Sequence, residues 1–91
     1  MSTKAAFQAI EKEVVRAKEK FPWWPTDPIH AAGIVSEEAG ELVRAANQLS
    51  YEKGLYSDML DEAVQVGAMA VRFIENIKAY EPTTSDKVYE G

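Results

Sequence analysis

A proline-rich break divides this chain and restricts the folds open to it. Residues 22–28 hold three of the four prolines, and proline cannot continue a helix because it lacks the backbone N–H. Asp27-Pro28 is a typical helix start, an N-cap followed by proline at the first helical position. Before the break, apolar residues recur at helical spacing and predict a first helix over about residues 3–20, at Phe7, Ile10, Val14 and Ala17.

Two further helices are predicted after the break, over about residues 28–50 and 57–79, with a short connection around Gly54. At about 100° per residue, one face of the second helix is apolar. That predicted core face consists of Ile29, Ala32, Val35, Ala39, Leu42, Val43, Ala46 and Leu49.

The third predicted helix, with Ser57 as its expected N-cap, is apolar almost all round between residues 63 and 71, as in helices buried on several sides. Its predicted core face consists of Ala63, Val66, Gly67, Ala70, Phe73, Ile74 and Ile77. The sequence therefore predicts an all-α fold, in which three main antiparallel helices form a bundle within one domain over residues 1–91. A polar tail covers residues 82–91.

The length and composition of the chain favour a partner subunit. A chain of 91 residues buries only roughly 60–65% of its unfolded surface, and this one has no cysteine to form disulfides or zinc–thiolate sites. Oligomerisation is the remaining way to extend a small core, so we expect a homodimer or a homotetramer. The absence of cysteine also fits a reducing compartment, and we expect a cytoplasmic location.

Charge and the length of the apolar runs argue against two kinds of partner. The formal net charge is −5 and the ten Lys and Arg residues are scattered, whereas nucleic-acid binding favours a basic face. The longest nearly apolar run, residues 63–71, is too short to span a bilayer, and acidic residues interrupt the N-terminal segment before any signal-like apolar stretch. We therefore expect neither a nucleic-acid partner nor a membrane.

Acidic residues cluster on the second and third predicted helices. The first group is Glu37, Glu38 and Glu41, and the second is Asp58, Asp61 and Glu62, with Gln65 one turn later. Like charges three or four residues apart on a helix repel by a few tenths of a kcal/mol, which a cation offsets. Oxygen ligands favour magnesium or manganese.

A plainer interpretation is that these acids form a solvated helix face. Two features argue for a shared cleft instead. The acids on both helices lie opposite the predicted core faces, apart from Glu38 at the border, so they could form one cleft if a further helix or subunit covers it. Gln65 also interrupts an apolar stretch in which an amide needs a hydrogen-bond partner.

The acidic residues also resemble a family signature. Glu37-Glu38-Ala39-Gly40-Glu41, followed by Glu62-Ala63-Val64-Gln65, resembles the MazG-like all-α nucleoside triphosphate pyrophosphohydrolases, whose pattern is E-E-x-x-E, a spacer and E-x-x-D. The resemblance covers about residues 23–77. One departure is Gln65, which stands where the family has its last acid. Another register would pair Asp58 with Asp61 as the second motif. In the preferred register, with Glu62 and Gln65, either Asp58 or Asp61 could supply the missing charge.

The resemblance implies a reaction and a set of metal ligands. Such enzymes use Mg²⁺, with Mn²⁺ possible, to split (d)NTPs between the α and β phosphates, giving (d)NMP and pyrophosphate for nucleotide-pool clean-up. It implies Glu38, Glu41 and Glu62 as metal ligands and catalytic residues, with Gln65 and Asp58 as further ligands. Glu37 is either a ligand or the base that orients the attacking water.

Candidate substrate-binding residues complete the prediction. Lys53 and Arg72 are cations that could meet phosphates, although each is also an ordinary surface charge. Trp24, adjacent to Trp23, could stack on a base or fill the core, and His30 could contact the base or be structural. Two other functions stay open, a catalytically weak MazG-like module that binds nucleotide or protein, and an oligomeric helical scaffold.

Overall fold

The computed structural model describes residues 1–80, and the predictions for residues 82–91 lie outside them. Three α-helices make up most of these residues: α1 (Thr3–Lys20), α2 (Pro28–Tyr51) and α3 (Tyr56–Glu75), followed by a 3-10 turn (Ile77–Tyr80). Residues 1–80 contain no strand, so the all-α prediction is confirmed.

The starts of α1 and α2 follow from their capping residues. The Ser2 hydroxyl accepts from the Ala5 N–H at 3.0 Å, and the Asp27 carboxylate accepts from the Ile29 N–H at 3.0 Å. Each bond satisfies a backbone donor that the first helical turn leaves without a partner.

Both ends of α3 differ from the prediction. The N-cap is Leu55 rather than Ser57, and it makes no side-chain cap bond. At the other end, the Asn76 side-chain amide donates to the Arg72 carbonyl at 2.8 Å. Local side-chain bonds of this kind compete with the helical ladder, and α3 ends at Glu75 instead of continuing to residue 79.

The core is small and lies mainly between α1 and α3. Its buried members are Val14 and Ala17 of α1 with Ala68 and Met69 of α3, and Ile34 of α2 packs against them. Within residues 1–80 no large side chain is completely buried. Helices α2 and α3 pack on each other as well, and residues 52–55 join them as a helical hairpin.

The predicted core face of α2 was wrong at three positions, Ile29, Ala32 and Val43, which are exposed. Ile29 is 80% exposed and Val43 is 59% exposed, whereas Ala31 and Ala45 are buried. Glu38, predicted at the border of the face, is half-buried. The side of α2 that faces inward is therefore rotated towards Glu38 relative to the predicted face, and α2 packs mainly on α3.

Helix α3 shows the same rotation. Glu62 and Gln65, predicted to lie opposite the core, are half-buried, whereas Ala63 and Ile74 of the predicted core face are exposed. A helix that is apolar almost all round gives periodicity no basis for choosing its inner side. None of the helices in residues 1–80 is long and apolar enough to cross a membrane.

Candidate functional site

A cavity of about 300 Å³ lies between the three helices, beside the linker of residues 21–27. Its lining combines acidic, basic, amide and aromatic groups. Glu13 and Arg16 come from α1, Glu38 from α2, and Gln65 and Arg72 from α3. Aromatic side chains of the linker close one side, namely Phe21, Trp23 and Trp24.

Glu38 is the acid most affected by its surroundings. Burial raises the pKa of its carboxyl above the ordinary 4.5, and repulsion from Glu62, Glu41, Glu37 and Glu13 raises the pKa further. Carboxylates from all three helices therefore act on one carboxyl group. Of the acids predicted to share a cleft, Glu62, Glu41 and Glu37 are thus near enough to Glu38 to raise its pKa.

The other predicted acids differ in exposure. Glu62 is half-buried, while Glu37, Glu41 and Asp58 are exposed. Glu41 lies 3.5 Å from the Arg44 guanidinium, but none of the ion pairs within residues 1–80 includes Glu38 or Glu62. In that part of the chain no three acidic or histidine side chains are close enough to hold an ion together.

Gln65 has the partner that its position requires, and the partner comes from α1. Its side-chain amide donates to Glu13 Oε2 at 2.6 Å. Sequence reasoning missed Glu13, because a glutamate and an arginine three residues apart, Glu13 and Arg16, are an ordinary surface pair. Only the apolar surroundings of Gln65 indicated that a polar partner existed, and they did not show which residue it was.

Arg72 is buried rather than available to solvent. It is only 4% exposed, and its Nη2 donates to the Phe21 carbonyl at 2.8 Å and to the Trp23 carbonyl at 3.4 Å. Its guanidinium also lies 4.8 Å from the centre of the Trp24 ring. These contacts favour a structural role in holding the linker over the phosphate contact that the sequence suggested.

The two adjacent tryptophans differ in exposure. Trp24 is half-buried and its indole N–H donates to the Tyr80 hydroxyl, so it is part of the core. Trp23 is 68% exposed and its ring lies 5.8 Å from the His30 ring, tilted by 56°. Trp23 and His30 thus form an accessible aromatic pair at the linker. Lys53 lies in the connection after α2 and does not line the cavity.

The fold and the site define an all-α protein with an acid-edged cavity beside an aromatic linker. Comparisons of the chain with protein-family models, curated proteins and solved structures gave no match. The likeness to MazG-like enzymes therefore stays a prediction based on the motif residues.

Proposed function

We propose that the protein is a magnesium-dependent nucleoside triphosphate pyrophosphohydrolase of the MazG-like type. The observation that carries this proposal is the half-buried position of Glu38 in the cavity lining, where burial and then repulsion from carboxylates of α3, α2 and α1 raise its pKa. Paired carboxylates without a cation are unfavourable, and a divalent ion relieves the repulsion.

Oxygen-only ligands suit Mg²⁺, and by the resemblance Glu38, Glu62 and Glu41 would hold it, with Glu37 as a further ligand or as the base. The three side chains are not close enough to share an ion in this structure, so binding would require them to turn towards it. When bound, such an ion polarises phosphate oxygens and activates water. The chain itself contributes the aromatic pair Trp23–His30, on which a base can stack.

The enzyme is further proposed to assemble from copies of this chain. An almost wholly apolar groove of about 400 Å³ runs between α2 and α3, lined by Ala32, Val35, Ser36, Ala39, Ala70, Phe73 and Ile74. No side chain in the groove carries a charge, so the groove suits a partner that presents an equally apolar helical surface. A second copy of the chain presents such a surface. Its binding in the groove would enlarge the hydrophobic core, which is small in a single chain.

Pyrophosphate release from a panel of nucleoside triphosphates with Mg²⁺ tests the activity. We expect turnover by the wild type and a loss of about 100-fold or more in Glu38→Gln, because a neutral amide oxygen binds a divalent ion more weakly than a carboxylate does. Glu19→Gln is the matched control, since Glu19 is an exposed acid of α1 outside the cluster. Equal activity of the two variants would exclude Glu38 from the reaction, and an inactive wild type would refute the proposed function.

A second candidate is a nucleotide-binding module without turnover. It is favoured by Gln65, which is uncharged at the position of the family's last acid and is bonded to Glu13. This candidate predicts that Mg²⁺ with nucleotide raises the melting temperature, because a ligand of the native state stabilises it, while no pyrophosphate appears.

A further inference from the structure

Arg16 is held in one orientation at the side of the cavity. Its Nε donates to Glu13 Oε1 at 2.8 Å and its Nη2 donates to Glu13 Oε2 at 2.7 Å, which is a bidentate pair. Glu13 is held in turn by the Gln65 amide at 2.6 Å. This chain of bonds, from Gln65 through Glu13 to Arg16, ties a guanidinium on α1 to α3 and fixes its plane.

The pairing leaves much of the guanidinium free to bind something else. A guanidinium has five N–H donors, and Glu13 occupies only the two just described. The Arg16 side chain is 55% exposed, whereas that of Glu13 is 12% exposed, so the arginine is the accessible half of the pair. The Glu13 carboxylate also raises the pKa of Arg16, so its charge is permanent.

The other predicted phosphate contacts are less suitable. Arg72 is the second cation of the cavity lining, but it is buried and donates to backbone carbonyls. Lys53 does not line the cavity. Among residues 1–80, Arg16 is therefore the cation that both lines the cavity and remains accessible. Glu38 lines the same cavity, so an anion held by Arg16 would lie near one of the acids assigned to magnesium.

We propose that Arg16 binds a phosphate group of the nucleotide, with Glu13 and Gln65 as the positioning residues that orient it. A fixed guanidinium with free donors suits phosphate oxygens, which it can contact at two points. The inference rests on the proposed function for the identity of the ligand.

The assignment also accounts for Gln65. A carboxylate at that position would repel Glu13 at hydrogen-bond distance, whereas the amide donates to it. The departure from the family pattern thus preserves the pair that orients Arg16.

Calorimetric titration with magnesium pyrophosphate, which carries phosphates but no base, tests Arg16 directly. We expect Arg16→Gln to weaken binding about tenfold or more, the size of a lost hydrogen bond between charged groups. Arg16→Lys should recover only part of the affinity, because an ammonium lacks the fork that Glu13 orients. Lys18→Gln is the matched control, since Lys18 is a half-exposed cation of the same helix that pairs with Glu75.

A double-mutant cycle tests the positioning role. If Glu13 acts through Arg16, Glu13→Gln weakens pyrophosphate binding in the wild-type background and has no further effect in the Arg16→Gln background. Additive losses would overturn the positioning role. Circular dichroism melting of each variant measures whether a binding loss reflects a loss of folded protein.

The outcomes separate this inference from the proposed function. A wild type that turns over nucleotide while Arg16→Gln binds pyrophosphate as well as Lys18→Gln does would overturn the role of Arg16 and leave the activity standing. Arginine-dependent binding of pyrophosphate by a wild type without turnover would support the site and refute the hydrolase. A wild type that binds no magnesium pyrophosphate would overturn the inference.

Discussion

At the residue scale, two glutamates in one cavity have opposite electrostatic environments. The hydrogen bond from Arg16 lowers the pKa of Glu13, burial opposes that effect, and the Gln65 amide adds to it. Glu38 has no such partner, and burial and neighbouring carboxylates raise its pKa. Glutamate is thus a hydrogen-bonded structural anion at Glu13 on α1 and a destabilised anion at Glu38 on α2.

The pH dependence of stability should reflect Glu38. Its folded-state pKa lies above the ordinary 4.5, so its contribution is complete below the ordinary pKa and is lost as the pH rises through the raised pKa. Glu38→Gln removes this loss, and without Mg²⁺ it should be more stable than the wild type near neutral pH by about a few tenths of a kcal/mol, the cost of one like-charge pair.

Thermal melts of both proteins between about pH 4 and about pH 8 measure this difference. It should shrink as the solution is acidified, because both side chains are then uncharged. The lowered pKa of Glu13 has the opposite sign, since its stabilisation is lost as the pH falls through that pKa, but Glu13 is present in both proteins. A variant less stable than the wild type at neutral pH would contradict the prediction.

At the element scale, the approach of α1 to α3 depends on Gly67. A Cβ built at Gly67 would lie 2.7 Å from Ile10 Cδ1 and 2.9 Å from Ile10 Cγ1, closer than carbon atoms approach without a shift. The hydrogen bond from Gln65 to Glu13 joins the same two helices. The distance between α1 and α3 that Gly67 permits therefore also sets the distance across this side of the cavity.

Gly67→Ala should destabilise the protein by about 1–3 kcal/mol, the usual cost of overpacking a well-packed contact. The matched control is Gly33→Ala on α2, where an added Cβ meets nothing within 4 Å. That change should stabilise by about 0.5–1 kcal/mol, because alanine is the better helix former. Urea unfolding measures both, and similar values for the two variants would show that the contact with Ile10 relaxes freely.

At the scale of the whole molecule, apolar surface is left uncovered on α2 and α3. Ile74 lines the apolar groove and is 66% exposed, and Ile29 and Val43 of α2 are exposed as well. Large apolar side chains outside the core are common singly, but a continuous apolar groove is typical of an interface.

The proposed self-association predicts a clear effect of charge in the groove. Ile74→Glu should shift the protein from dimer or tetramer to monomer, because a buried carboxylate without a partner is unfavourable. Val15→Glu is the control, since Val15 is 54% exposed on α1 and does not line the groove. Light scattering after size exclusion measures the mass, and a monomeric wild type, or equal masses for wild type and Ile74→Glu, would contradict the prediction.

The sequence by itself determined the fold class, the existence of three helices and the ends of α1 and α2. These follow from local causes, namely proline, capping side chains and apolar spacing, which act within a few residues. The sequence also indicated that Gln65 needs a polar partner, because an amide in an apolar stretch must be satisfied.

Only the tertiary structure decided which sides of α2 and α3 face inward and which residues share the cavity. Glu13, Arg16 and the buried position of Arg72 were not predictable, because each depends on how α1 crosses α3. An apolar helix such as α3 can present several sides to a neighbour at similar cost, so the choice depends on packing across the whole chain rather than on any local pattern.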